Sequence, residues 1–211
     1  MMPMTDAPTE QKYDAVAGTY DQRWSIYVQP TLNYVNERLK LPHTGRLLDV
    51  SCGTGALLSR IRDRAPGLDL VGVDISSEML QQARKKIGPD ERVTLRKGNV
   101  EQLPFDDGVF DVVVSTSAFH YYRQPEQALS ELRRVLRPGG QLAMMDWNAN
   151  HWLWRILDPF LRRFDAAYRG CYAPEALHDL LHAADFEEVT VDPVNVGWIW
   201  GMWYASATRP S

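Results

Sequence analysis

The segment Arg46-Leu47-Leu48-Asp49-Val50-Ser51-Cys52-Gly53-Thr54-Gly55 sets a carboxylate beside two closely spaced glycines at the end of an apolar run. Glycine lets a chain turn tightly and lets a ligand approach the backbone with no Cβ in the way. The following Ala56-Leu57-Leu58-Ser59-Arg60-Ile61 has helical spacing, which would present the N–H groups of a helix start to the same ligand. A second apolar run, Leu70-Val71-Gly72-Val73, closes on Asp74. An acid at the end of the second strand of a βαβ unit is placed to accept hydrogen bonds from a ribose diol. These residues predict a nucleotide-like cofactor.

Two cofactors compete. A nicotinamide dinucleotide wants G-x-G-x-x-G, and Leu58 stands where its third glycine would pack helix on strand. Asp49 also argues against it, because a carboxylate on the lip of the turn repels a pyrophosphate and favours an ammonium. S-adenosylmethionine (SAM) carries an ammonium, a sulfonium, a ribose and an adenine, and no phosphate.

Further motifs follow in order: Val73-Asp74-Ile75-Ser76, Gly98-Asn99-Val100-Glu101-Gln102-Leu103-Pro104-Phe105, Phe110-Asp111-Val112-Val113-Val114-Ser115 and Leu136-Arg137-Pro138-Gly139-Gly140. With the glycine turn, they make the chain resemble a class I SAM-dependent methyltransferase over roughly residues 13 to 190. It is similar to the small-molecule group that includes the ubiquinone and menaquinone biosynthesis enzymes. The resemblance implies SAM as methyl donor and S-adenosylhomocysteine as product. Asp49, Ser51, Gly53 and Gly55 would line the methionine and ribose end, and Asp74 would take the ribose hydroxyls. Ile75 and Met79 would cover the adenine, Asn99 and Val100 would address its edge, and Ser115 would contact the methionyl part. Tyr20 resembles a tyrosine that closes over SAM. Ser51 and Asn99 depart from the family, which usually has a glycine and an aspartate there. A non-catalytic SAM-binding protein stays open because of Ser51, and a nicotinamide-dependent oxidoreductase is disfavoured by Leu58 and Asp49.

Methyl transfer needs alignment, exclusion of water and, for some acceptors, removal of a proton. Ser115-Thr116-Ser117-Ala118-Phe119-His120-Tyr121-Tyr122 follows the fourth strand, so His120 is the leading candidate base. The architectural reading of the same histidine is a strong alternative. Asp146, at the end of the fifth strand, is a second catalytic candidate and otherwise a local cap. The tryptophans at 147, 152, 154, 198, 200 and 203 could line an apolar acceptor pocket, or pack in the core. His178 and His182 sit four apart without a third ligand, so no metal is expected.

The elements that must position these groups alternate. Strands are expected near 46–50, 69–74, 92–97, 109–115 and 140–146, with helices near 55–65, 77–87 and 125–136. The fold class is α/β: a Rossmann-like three-layer sandwich, mainly parallel, with an antiparallel C-terminal strand by resemblance and an N-terminal helical cap. Residues 1–211 read as one domain. Within it, 1–9 are expected as a disordered tail, 10–41 as the cap with a helix start at Pro30, and 148–172 as an aromatic specificity insertion. A net charge of −4 gives no electrostatic reason to expect nucleic acid or an anionic membrane as partner. No apolar run approaches a transmembrane span and no leader pattern is evident, so stable membrane insertion is not expected and a cytoplasmic protein is. The expected partner is a small-molecule acceptor, partly apolar or aromatic, methylated on oxygen or nitrogen in preference to carbon. The chain would be a monomer or homodimer.

Overall fold

The computed structural model describes residues 6–211; the first five residues of the expected tail lie outside the described residues. The strands are β1 Gly45–Val50, β2 Leu68–Asp74, β3 Val93–Lys97, β4 Phe110–Thr116, β5 Leu136–Trp147, β6 Glu187–Val196 and β7 Trp200–Thr208. They form one sheet in the order β3-β2-β1-β4-β5-β7-β6. The pairs among β1 to β5 are parallel, and β7 runs antiparallel to both β5 and β6. The chain order reverses between β1 and β4, so the crevice for a ligand opens beyond the C-terminal ends of these two strands.

The helices are α1 Ala7–Val16, α2 Tyr20–Arg23, α3 Ser25–Arg38, α4 Ala56–Arg64, α5 Ser77–Ile87, α6 Pro125–Val135, α7 Trp152–Phe164 and α8 Pro174–Ala183. Strand residues alternate between two cores, as a pleated sheet covered on both faces requires. Leu47, Leu70 and Val112 pack with Leu32, Leu57 and Ile61 of α3 and α4. Leu48, Val71 and Val113 pack with Leu129 and Leu132 of α6 and Leu177 of α8. This gives three layers.

Local details depart from the sequence reading. Residues 7–9 belong to α1, with Pro8 in its first turn, and not to a tail. Pro30 lies inside α3, which begins at Ser25. The first turn has already formed there, and burial of Tyr27, Val28, Thr31 and Leu32 holds the helix through the missing N–H. Helix α6 ends at Val135, before Pro138-Gly139-Gly140 is reached, and that tripeptide lies at a register shift between β4 and β5. Segment 148–172 contains α7, and an isolated bridge from Asn148 to Tyr172 closes it at the base. No helix among the described residues is long and apolar enough to cross a membrane.

Candidate functional site

Beyond Val50 the chain turns through Ser51, Gly53 and Gly55, whose φ angles are 61°, 52° and 70°. Only glycine adopts such angles freely, so Ser51 carries backbone strain. A Cβ on Gly53 would meet nothing within 4 Å, which leaves open space at the point where a ligand would approach. Gly55 has a different role, since a Cβ there would come 3.0 Å from Ala83 and from Ile87 of α5. It allows α4 to pack on α5 and does not line the cavity. Cys52 is buried in the same turn, and burial pushes its thiol well above the usual range, so it fills space as a neutral side chain.

A cavity beside this turn is lined by Ser51, Gly53, Asp74, Ile75 and Met79, and on its other side by Asn99, Val100 and Tyr20. The Asp74 carboxylate accepts the Gly53 N–H and the Ser76 N–H, each at 2.8 Å. Burial raises its pKa to about 6, against the pull of those two donors. Asn99 accepts the Glu101 N–H on its side-chain oxygen at 2.9 Å. Ser115 is buried behind the cavity, with its hydroxyl 2.8 Å from that of Tyr122, and does not line it.

Asp49 is buried, and neither carboxylate oxygen has a hydrogen-bond partner among the described residues. Burial, and then the charge of Asp74, push its pKa well above the carboxylate range. A buried carboxylate with both oxygens unmet is a site for a cation. The ammonium of SAM fits this need, and a pyrophosphate does not. Asp49 lines an adjoining cleft with Ser51, Gly53 and Tyr20.

Helices α1 and α2 close over the cavity. Asp14 accepts the Ser76 hydroxyl at 2.5 Å, and Asp21 accepts the Thr54 hydroxyl at 2.7 Å and pairs with Lys86 at 2.6 Å. These contacts bring Tyr13 and Tyr20 to the cavity wall. Sequence reading missed Glu101, which also lines the cavity and accepts the Arg123 and Gln124 N–H groups at 2.8 and 2.9 Å. Only its position after Asn99 could have pointed to it.

A second cavity of about 200 Å³ shares Tyr13, Tyr20, Ser117 and Tyr121 with the first. Its remaining walls include Trp24, Tyr27, Trp147, Leu161 and Trp200, with His120 among them. Trp147 lies between the His120 ring and Trp154, stacked at 3.7 and 4.0 Å between centroids. Its indole N–H donates to the Tyr27 hydroxyl at 2.8 Å, which lies 2.5 Å from the Ser117 hydroxyl. Ser117, where the two cavities meet, also has a strained φ of 55°. Of the other tryptophans, Trp203 is in the core, while Trp152 and Trp198 are exposed.

His120 and Asp146 come together in the interior, Nδ1 to carboxylate oxygen at 2.6 Å. The same carboxylate accepts the His120 N–H at 3.1 Å and the Trp147 N–H at 2.7 Å. An acceptor-only carboxylate with three donors holds the imidazole proton on Nδ1. The lone pair is then on Nε2, which is buried and has no partner among the described residues. Asp146 does not itself line either of the two cavities.

The strand order with its antiparallel β7, the glycine turn and the acid that ends β2 define a class I SAM-dependent methyltransferase. Residues 48–144 match the family model described as a methyltransferase domain. Over 162 residues the chain is 35% identical to a demethylmenaquinone methyltransferase of Thermus thermophilus, covering 67% of this chain and 74% of that one. It spans 37%, 43% and 60% of three further curated relatives. Among solved structures, a methyltransferase in complex with the Haloferax volcanii Trm112 activator superposes with a TM-score of 0.84 at 21% identity, covering 96% and 97% of the two chains. Phosphoethanolamine N-methyltransferase 2 of Haemonchus contortus, solved with SAM, gives 0.80 at 18% identity over 94% and 57%. The chain belongs to the class I SAM-dependent methyltransferases and is similar to the quinone-biosynthesis group.

Proposed function

We propose that the protein transfers the methyl group of SAM to the hydroxyl oxygen of a small planar aromatic acceptor held in the tryptophan-walled cavity. The observation that carries this reading is the Nε2 of His120, without a partner among the described residues and fixed as a lone-pair donor by Asp146, on a residue that lines a mainly aromatic cavity whose wall also carries the Lys12–Asp165 ion pair. An acceptor hydroxyl there would give its proton to Nε2, and Asp146 would stabilise the resulting imidazolium. Asp146 is then a positioning residue. SAM supplies a methyl carbon whose bond to a positively charged sulfur breaks as the acceptor's lone pair attacks.

On the cofactor side, Asp74 takes the ribose hydroxyls, Asp49 the ammonium, and Ser51 and Gly53 the nearby backbone approach. Ile75 and Met79 cover the adenine, Asn99 and Val100 meet its edge, and Tyr20 closes the site. The gap between the two ligands falls at Ser117, which both cavities share. Segment 148–172 sets acceptor specificity through Leu161, and Trp147 adds the stacking wall.

The name of a Geobacter relative, a ubiquinone/menaquinone biosynthesis C-methyltransferase 30% identical over 132 residues, favours a second reading, transfer to a ring carbon. The same base serves it, since deprotonating a phenol raises electron density on the ring. A turnover screen over phenols, quinols and amines with labelled SAM finds the acceptor, and NMR of the product separates a methoxy from a ring methyl. Replacing His120 with Ala should lower turnover about 10²–10⁴-fold, the usual range for a general base, with S-adenosylhomocysteine affinity nearly unchanged. Near-normal turnover in that variant would remove the base.

A further inference from the structure

Three segments each give a wall residue to the apolar cavity, Trp24, Leu161 and Trp200, and each also turns large apolar side chains outward. On α7, Trp152, Ile156, Phe160 and Phe164 follow at four-residue spacing and are 57%, 65%, 60% and 67% exposed. At that spacing they form one row along the helix. The β6–β7 turn carries Trp198, fully exposed, and Ile199, and the start of α3 carries Ile26. The three segments meet: the Trp154 N–H donates to the Gly201 carbonyl at 2.6 Å, and the Tyr27 and Trp200 rings are 5.1 Å apart. Eight large exposed side chains on three adjoining segments are more than a monomer ordinarily leaves to water.

The charges beside this rim that lack an ion pair among the described residues have one sign, since Asp158 and Asp165 are paired with Arg162 and Lys12. Arg155 and Arg163 are exposed within one turn of the apolar row, and Arg23 adjoins Trp24. None of the three forms an ion pair among the described residues, whereas Arg162 is neutralised by Asp158 at 2.7 Å. The protein is acidic overall, so this local excess is hidden in the net charge of −4. A row of Trp, Ile and Phe flanked by unpaired arginines has the chemistry of a helix lying in the interface of an anionic bilayer. A second copy of the chain would instead bring the same arginines against one another.

We propose that this rim docks the protein on an anionic lipid surface, with α7 lying in the interfacial plane and Trp198 below the headgroups. The cavity framed by Trp24, Leu161 and Trp200 then faces the apolar phase. Its role as an acceptor site rests on the function proposed above, while the docking does not.

The test is flotation with phosphatidylcholine vesicles, with and without phosphatidylglycerol, at low and high salt, beside sedimentation velocity of the protein alone. The chain should float with the anionic vesicles and bind pure phosphatidylcholine about tenfold or more weakly. Phe160→Glu and Trp198→Glu should each weaken vesicle binding about tenfold or more while S-adenosylhomocysteine binding, which reports the fold, is unchanged. Equal binding by wild type and both variants, or no flotation with either vesicle, overturns the proposal. A dimer that Phe160→Glu dissociates also overturns it, by assigning the face to a second copy. A failed methyl-transfer reading would show in the turnover screen and leave the flotation result standing.

Discussion

Two buried acids on neighbouring strands have opposite surroundings. Asp74 is held by two backbone donors, while Asp49 has none among the described residues. Asp74 titrates near 6 in the folded chain against its usual 3.8, so folding disfavours its ionised form. That penalty is absent below about pH 4, builds between 4 and 6, and is complete above 6 at about 3 kcal/mol. A ribose diol donates to the ionised carboxylate, so binding has the opposite dependence. Calorimetry with S-adenosylhomocysteine should show affinity falling about tenfold per pH unit below 6, and Asp74→Ala should flatten that fall. A wild-type affinity constant from pH 7 to 5 would remove Asp74 from the ribose contact. Ser51, strained at a φ of 61°, gives a second residue-scale expectation. Ser51→Gly should raise urea stability by about 1 kcal/mol and leave cofactor affinity equal or tighter, the hydroxyl's contact with Tyr122 being a long 3.4 Å. A tenfold loss of affinity would instead give the hydroxyl a binding role.

At the scale of elements, the glycine turn serves two ends. Gly53 leaves room for a ligand and Gly55 leaves room for a helix. Gly55→Ala should destabilise the chain by about 1–3 kcal/mol in urea titration, because it adds both a strained φ and a Cβ pressed on Ala83 and Ile87. No change in the midpoint would contradict that packing role. The lid is an assembly of short pieces tied by Asp14, Asp21 and Lys86 rather than by a core, since Thr9 is the buried residue of α1 and α2 has none. The aromatic character of 148–172 was visible in sequence, but the direction of each ring was not. Helical geometry turns Trp154 inward and Trp152 outward although they are two residues apart.

The molecule as a whole is a rigid sheet carrying loosely attached edges. Residues such as Leu47, Leu48, Val113 and Leu132 are fully buried in the central layers, while α1, α2 and α7 together bury few side chains. Hydrogen exchange should therefore be slowest in β1, β2 and β4 and fastest in α1, α2 and α7. Adding S-adenosylhomocysteine should slow α1 and α2, whose tyrosines line its cavity, and leave α7 nearly unchanged. Equal slowing of all three helices would mean that the cofactor orders the acceptor side as well.

The sequence by itself determined the alternation of strands and helices, because period-2 and period-3.6 burial are written in residue order. It also determined the cofactor class, since a glycine turn, Asp49 and Asp74 sit within a short stretch whose geometry is local. Gly55 and Ser115, expected in the cofactor lining by resemblance, pack against α5 and Tyr122, contacts that no local pattern contains. Only the tertiary structure joined His120 to Asp146, 26 residues away, and set Trp24, Leu161 and Trp200 around one cavity. Those meetings depend on how parallel strands order themselves and how far each helix rotates over the sheet. These are properties of long-range packing, in which each residue's neighbours are chosen by parts of the chain that a local pattern does not contain.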